Sequence, residues 1–354
     1  MAKNTLINIK LKDTDFLKNT RKQDILGITF ARAICSIGIV IFHYFCRSRG
    51  NFKFFFNSAN SNFGFMFVTS FFCMSGAVLY YNYPKVKSLK IFYFKRWKSI
   101  FPSFYICYLY FYFRTVLRFH KIIYKESWKF LLSFIGVDGY FLYLIKSYYL
   151  VGEWFLGAII ILYLLYPFLS LILRKNYIFI IYISISIFYY LMYKENFFTI
   201  RNDRNLITCL TSFIFGMNAI KFQKYLLENK ISLLISLIIF IILCFIKISS
   251  FVLIFQIQGF SLFIILVKAG ECIMASKFNI IFFEISNISY IIYLYHHQIM
   301  FDILIINNST KWYFHLLSIV SIIILTYIIS KIHLIVLKSV FKSNIFQKLE
   351  SLFI

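Results

Sequence analysis

Charged residues are scarce in this chain. Only 14% of its 354 residues are charged, 61% are hydrophobic, and the mean hydropathy is +0.77. So few charges cannot provide a polar surface for a folded chain of this size in water. The composition therefore excludes a soluble globular protein and predicts a polytopic membrane protein.

Acidic residues are scarcer still: the chain has 13 of them against 38 lysines and arginines, which gives a net charge of +25. A basic excess can indicate nucleic-acid binding, but these cations are spread between hydrophobic runs and no recognition motif accompanies them. Attraction of the loops to anionic lipid headgroups explains most of the excess. We therefore expect the lipid bilayer as a partner and no nucleic acid.

The sequence also lacks the patterns of redox and metal sites. Its seven cysteines lie in or at the ends of apolar runs and form no CxxC pair, so they are expected to be buried small hydrophobic residues. No histidine or cysteine pair has the spacing or the carboxylates of a zinc site. We therefore predict no metal.

Long apolar runs predict an all-α bundle of about ten transmembrane helices. Each run is long enough to cross about 30 Å of hydrocarbon, and none shows the period-two alternation of a membrane strand. The sixth run is the least certain, because it is short and partly polar. The runs begin near Ile25, Phe63, Ile100, Trp154, Tyr177, Leu206, Ile231, Phe251, Ile281 and Trp312.

The distribution of lysine and arginine predicts that both termini are cytoplasmic, since cytoplasmic loops carry the excess of these residues. On this assignment residues 1–24 form a cytoplasmic tail, 25–336 a transmembrane domain and 337–354 a second cytoplasmic tail. The basic segment Arg114 to Lys146 is then an extracytoplasmic loop, with a short helix near Trp128.

Arg32 and His43 are the most informative polar residues of the first apolar run. They are eleven positions apart, so on a helix both side chains point the same way, about 16 Å apart along the axis. Ionisable residues inside a membrane are costly and usually functional. The alternative is a pair of polar groups that reach the interface or bond to neighbouring helices.

Five sequence blocks in order resemble the integral-membrane acyltransferase type 3 family. They are FARAICSIGIVIFHYF, SFFCMSGAVL, KRWKSIFPSFY, WFLGAIIILYLLYPFL and ISYIIYLYHHQIM, which together reach from residue 30 to residue 300. The resemblance implies transfer of an acyl group, mostly acetyl from acetyl-CoA, to sugars of the bacterial cell envelope. It also implies a multi-pass protein of the plasma membrane.

The resemblance and the helix geometry together suggest roles for Arg32 and His43. Arg32, nearer the cytoplasmic end, is expected to bind the anionic cofactor or orient its arm. His43 is expected at the thioester end, either as the base that takes the proton of an acceptor hydroxyl or as a group that is itself acetylated.

A second basic cluster, Lys95, Arg96 and Lys98, precedes the predicted third span. Many members of the family carry two arginines three positions apart here, which correspond to Arg96 and Ser99 in this chain. Lys98 is the candidate for the missing charge. We expect these three cations to bind cofactor phosphates, and the alternative is a topological anchor without a ligand.

Glu153 and His296 complete the predicted catalytic residues. The family glutamate five positions after Trp154 is Ile159 here, but Glu153 directly precedes the tryptophan and could assist His43 or bind a sugar hydroxyl. Alternatively, it pairs with a loop cation. His296 matches the family histidine, and because adjacent helical residues face about 100° apart, at most one of His296 and His297 is expected to point into the site.

The sequence therefore predicts a membrane O-acetyltransferase that uses acetyl-CoA as donor and a saccharide or lipid-linked saccharide as acceptor. The alternative is a transporter or flippase of a lipid-linked saccharide. Transporters often contain paired interrupted helices, and the only three prolines, Pro84, Pro102 and Pro167, are expected near span ends, which gives little sign of such breaks.

Overall fold

The computed structural model describes residues 26–48, 63–119, 126–175, 177–195, 199–245, 252–275, 279–306 and 311–353. The predicted N-terminal tail, residues 1–24, lies outside these ranges. The second predicted tail, 337–354, begins inside a long helix.

The described residues form helices and no strand, which confirms the all-α prediction. Six of the helices in the described ranges are long and apolar enough to cross a membrane, so the count of ten and the side of the termini stay predictions. The helices are α1 (Leu26–Arg47), α2 (Phe63–Asn82), α3 (Leu89–Phe119), α4 (Phe130–Phe134), α5 (Asp138–Phe141), α6 (Glu153–Arg174), α7 (Ile178–Glu195), α8 (Leu206–Lys221), α9 (Gln223–Leu226), α10 (Lys230–Phe245), α11 (Val252–Met274), α12 (Asn279–Ile306), α13 (Trp312–Lys342) and α14 (Asn344–Ser351).

Helix α3 starts eleven residues earlier than predicted. It begins at Leu89, where the Ser88 hydroxyl accepts the backbone N–H of Ile91 at 3.3 Å, and it continues without a break through Pro102. The prediction that Lys95, Arg96 and Lys98 precede the third helix is therefore wrong, as is the prediction that Pro102 lies near a helix end. Long basic side chains can lie along an apolar helix and keep their charges in polar surroundings, so nothing before Ile100 ends it.

Helix α1 lies at the centre of the bundle and packs against α2, α11 and α12. A hydrogen bond of 2.7 Å joins the Tyr44 hydroxyl of α1 to Nδ1 of His315 on α13. A similar bond of 3.1 Å joins Tyr295 of α12 to His333 of α13. These buried bonds connect α1 and α12 to α13.

Helices α2 and α8 pack unusually closely. A Cβ atom at Gly76 would overlap the carbonyl oxygen of Phe213, and one at Gly216 would overlap that of Cys73. Small residues let helix backbones approach in a membrane, where van der Waals contact drives association. The two glycines therefore allow this contact.

The segment between α3 and α6 contains short helical turns. A 3₁₀ turn at Ser127–Lys129 leads into α4, as the sequence predicted for the region of Trp128. Helix α5 follows and packs against the start of α6, close to Glu153.

Candidate active site

A cavity of about 1210 Å³ opens between α1, α3, α6 and α12. Its walls are mostly apolar and aromatic, with a small number of charged groups, which is typical of sites for small molecules and cofactors. The predicted site residues that line it are Arg32, His43, Arg96, Glu153 and His296, and His297 lines it as well.

Three histidines from two helices meet at the middle of the cavity. The ring of His43 on α1 lies with its centroid 4.2 Å from that of His297 and 5.3 Å from that of His296, both on α12. Their candidate ligand nitrogens all lie within 4.8 Å of one another. His43 lies more than 250 positions before His296 and His297 in the sequence, so the spacing of residues alone could not predict this cluster.

Both His296 and His297 line the cavity, which corrects the prediction that at most one of them points into the site. Their ring centroids lie 4.2 Å apart, and each ring also lies close to that of His43, so both side chains reach the same space. His296 directs Nδ1 to the backbone carbonyls of Tyr293 at 2.8 Å and Ile292 at 3.2 Å. A carbonyl can only accept, so Nδ1 carries the proton and Nε2 keeps its lone pair.

Glu153 contacts two of the histidines. One carboxylate oxygen is in contact with Nε2 of His297, and the other lies 4.0 Å from Nε2 of His43. The second distance exceeds a hydrogen bond but is within reach of a small side-chain movement. Among the described residues its ion-pair partners are thus these histidines, and no loop cation takes the place predicted by the alternative.

The backbone before Glu153 determines where its carboxylate lies. Gly152 has a φ of 89°, a left-handed conformation that favours glycine. This turn makes Glu153 the first residue of α6, where the positive end of the helix dipole stabilises a carboxylate. A Cβ at Gly139 of α5 would touch the backbone of Glu153, so close packing holds the same position.

Tyr149, in the loop before α6, adds a neutral donor to the cavity wall. Burial raises the pKa of its hydroxyl, and the nearby Glu153 and Asp138 carboxylates raise it further. Tyr149 therefore keeps its proton at physiological pH and can donate it in a hydrogen bond.

Arg32 and Arg96 lie at one end of the cavity. An N–H of Arg32 points to the Ser286 hydroxyl at 3.5 Å. The Arg96 guanidinium carbon is 5.4 Å from the centre of the Tyr83 ring and 5.9 Å from those of Phe92 and Tyr163, and its buried Nε has no hydrogen-bond partner. Neither arginine pairs with a carboxylate among the described residues, so both charges are available to an anion.

The two predicted lysines do not line this cavity. Lys98 forms an ion pair of 2.5 Å with Glu350 of α14, and Lys95 lies 5.9 Å from the centre of the Tyr83 ring. Lys98 is therefore not placed to supply the second charge that the sequence suggested, because a helix beyond the matched blocks engages it.

Three cavity arginines were missed in the sequence: Arg47, Arg201 and Arg204. Arg47 follows His43 by four positions, which is one helical turn and the same face, so the pattern that paired Arg32 with His43 also contained it. Arg201 and Arg204 lie before α8, and no local motif connects them to the site.

The comparisons with known proteins give one finding. A family model described as an acyltransferase domain matches residues 25–334. No curated protein and no solved structure matches the chain. The matched range begins one residue before α1 and ends within α13, so it contains every group that lines the cavity.

Proposed function

The chain belongs to this acyltransferase family, the type 3 membrane acyltransferases that its motifs resemble, and from that premise we propose that it is an O-acetyltransferase of the bacterial plasma membrane. Its donor would be acetyl-CoA. Its acceptor would be a hydroxyl of an envelope saccharide or of its lipid-linked precursor. The observation that carries this proposal is the His43, Glu153 and His297 cluster in a cavity whose one end holds Arg32 and Arg96.

The donor fits the length and the charge of that cavity. Arg32 and His43 are about 16 Å apart along α1, and acetyl-CoA is a long molecule with phosphates at one end and the thioester at the other. Arg32 and Arg96 would bind the phosphates, because guanidinium groups bind phosphate by two parallel hydrogen bonds. The arm would then extend along α1 and bring the thioester to His43.

His43 would act on the acceptor hydroxyl. In the direct route its ring nitrogen takes the hydroxyl proton while the oxygen attacks the thioester carbonyl, and the carbon–sulfur bond then breaks. The proton passes from the imidazolium to the departing CoA thiolate. In the alternative route His43 attacks the thioester, releases CoA and passes its acetyl group to the hydroxyl.

Glu153 supports either route as a positioning group. An imidazolium forms at His43 when it accepts a proton, and a carboxylate 4.0 Å away stabilises that charge, because both side chains are mostly shielded from water. His297 holds the other oxygen of Glu153 and so limits the carboxylate to one orientation. His296 would offer its Nε2 lone pair to the acceptor.

Acetyl transfer can be measured with purified protein in proteoliposomes, labelled acetyl-CoA and an envelope saccharide extract. His43→Ala should reduce labelled saccharide to background while the protein remains folded and inserted. His333→Asn is the matched control, since this buried α13 histidine does not line the cavity and its loss should leave transfer within about threefold. A fully active His43→Ala protein would contradict the proposal.

The same preparation tests the alternative function of a transporter or flippase. A flippase would move a labelled lipid-linked saccharide across the bilayer without acetyl-CoA. Helices α3 and α6 run continuously through Pro102 and Pro167, so these described helices lack the breaks that would favour transport. Translocation without acetylation would establish the alternative.

A further inference from the structure

The cavity has a second basic end, which the acetyl-CoA proposal does not use. Arg47 lies fifteen positions after Arg32 on α1, or about 22 Å further along the axis. The Arg204 guanidinium lies 5.7 Å from the centre of the Trp154 ring, and Trp154 is next to Glu153. Along α1, His43 therefore lies between Arg32 and Arg47, and Arg204 lies beside Trp154.

Two of these charges have no counterion among the described residues. Arg201 pairs with Asp203 at 3.0 Å. Arg47, by contrast, lies 4.2 Å from the centre of the Phe301 ring and Arg204 lies over Trp154, and within the described ranges neither meets a carboxylate. An aromatic face positions a guanidinium but does not neutralise it, so both keep their forks of N–H donors for a ligand.

We propose that Arg47 and Arg204 bind an anionic group of the acceptor, so that the substrate class is a saccharide bearing a phosphate or a carboxylate. This inference rests on the proposed function for its acceptor. The two arginines line the same cavity as His43 and Glu153, which places a bound anion beside the position where a hydroxyl would lose its proton. Trp154 would pack against the sugar ring, as aromatic side chains do in polar ligand sites.

Arginine suits this role better than a general attraction to membrane lipid. A planar guanidinium binds phosphate or carboxylate through two directed hydrogen bonds, whereas attraction to headgroups needs only positive charge near the surface. The proposal therefore predicts that sugar binding depends on the planar guanidinium and on the charge of the sugar. It also predicts little competition from anionic lipid.

Ligand binding can be tested without acetyl transfer. Protein in phosphatidylcholine nanodiscs is titrated with glucose, glucuronate and glucose 1-phosphate, and binding is followed by saturation-transfer NMR. We expect both charged sugars to bind at least about tenfold more tightly than glucose, because a hydrogen bond to a charged group contributes about this much. The stronger of the two identifies carboxylate or phosphate as the preferred group.

Variants connect the binding to the two arginines. Arg47→Gln and Arg204→Gln should each weaken the charged sugars about tenfold, and lysine should restore only part of the loss. Arg118→Gln is the control, since this arginine in the last turn of α3 pairs with Asp302 and does not line the cavity. Acetyl-CoA affinity should stay unchanged in the two cavity variants.

Three results would overturn the inference. These are equal binding of glucose and the charged sugars, charge preference that survives in both variants, and displacement of the sugars by phosphatidylglycerol in the nanodisc, which would make lipid the ligand. Failure of the proposed function is distinguishable, because sugar binding would then persist while wild-type protein transfers no acetyl group.

Discussion

Glu153 is the residue that connects His43 to His297. It contacts His297 directly and lies 4.0 Å from His43, so one carboxylate can hold the first ring and stabilise charge on the second. A glutamine keeps the size and one acceptor oxygen but loses the charge. The substitution therefore separates electrostatic support from packing.

Glu153→Gln should lower the maximal rate of acetyl transfer by about 10²- to 10⁴-fold, because a carboxylate that orients a catalytic histidine and stabilises its imidazolium has an effect of up to this size. The Michaelis constant for acetyl-CoA should change little, since Arg32 and Arg96 are the residues proposed to bind the donor's phosphates. Steady-state kinetics in proteoliposomes measure both quantities. A higher Michaelis constant with an unchanged maximal rate would instead assign Glu153 to donor binding.

The three histidines should also bind zinc, and bound zinc should inhibit acetyl transfer. Nitrogens within 4.8 Å of one another need to approach to about 3.4 Å around a tetrahedral ion, which small side-chain rotations allow. Zinc would occupy the lone pairs that proton transfer requires. Micromolar zinc should inhibit transfer reversibly, EDTA should restore it, and magnesium should have no effect because it prefers oxygen ligands. Loss of activity on treatment with EDTA alone would contradict the prediction of metal-free chemistry.

Helical periodicity was enough to place Arg32 and His43 on one face, because both lie on one helix. Helical periodicity could not identify His297 as a site residue. Adjacent residues on a helix face about 100° apart, and such a separation keeps one of them out of a site only when the site is narrow. Arg96 was predicted to be a site residue and lines the cavity. Lys98 was predicted to be one as well, but it forms an ion pair with Glu350 of α14. Contacts between distant helices decide such cases, and they leave no local pattern.

At the scale of elements, the contact between α2 and α8 depends on glycine. Gly216→Ala should destabilise the protein by about 1–3 kcal/mol, the usual cost of overpacking, although alanine is the better helix former. The new Cβ would meet the backbone oxygen of Cys73, which cannot rotate away. Thermal unfolding in detergent measures the change.

Gly64→Ala provides the comparison for that variant. Its Cβ would meet only the side chain of Phe42, which can rotate, so a smaller loss is expected. Equal losses in the two variants would show that close backbone approach is not the reason for Gly216.

Helix α5 should make stability depend on pH. Burial raises the pKa of Asp138 from 3.8 to about 6, so the folded state binds a proton that the unfolded state has released between these values. Stability from the protonated form is complete below pH 4 and is lost as the pH rises to 6. The unfolding midpoint of the wild type should therefore fall across this window.

Asp138→Asn should remove that fall and raise the midpoint at pH 7.5, by an amount on the order of 1–3 kcal/mol in unfolding free energy. An asparagine oxygen can still accept the Gly139 N–H that Asp138 accepts at 2.9 Å. Glu228→Gln, at an exposed carboxylate, should leave the pH profile unchanged. A steeper fall in Asp138→Asn would show that the aspartate is stabilising in its charged form.

Elements were predictable where hydrophobic length alone decides them, as in α1, α6 and α13. The start of α3 was not, because snorkelling lysines and arginines resemble a loop in composition. Helices α8 and α10, with 16 residues each, are shorter than a typical span. Composition detects their apolar character but cannot tell a full crossing from a partly inserted helix.

At the scale of the whole molecule, the order of charged groups along the cavity gives the reaction a direction. Arg32 and Arg96 lie at the proposed donor end, the histidines and Glu153 at the proposed reaction centre, and Arg47 and Arg204 at the proposed acceptor end. With a cytoplasmic N-terminus, as the basic loops predict, the donor end faces the cytoplasm. Acetyl-CoA carries several negative charges and does not cross a bilayer unaided.

Oriented membrane vesicles can test this direction. Inverted vesicles, with the cytoplasmic face outward, should use added labelled acetyl-CoA at least about tenfold faster than right-side-out vesicles, because only they present the end with Arg32 and Arg96 to the solution. Detergent should remove the difference, which controls for unequal amounts of enzyme. Faster use by right-side-out vesicles would reverse the assigned orientation, and the outer arginines would then become the candidate donor site.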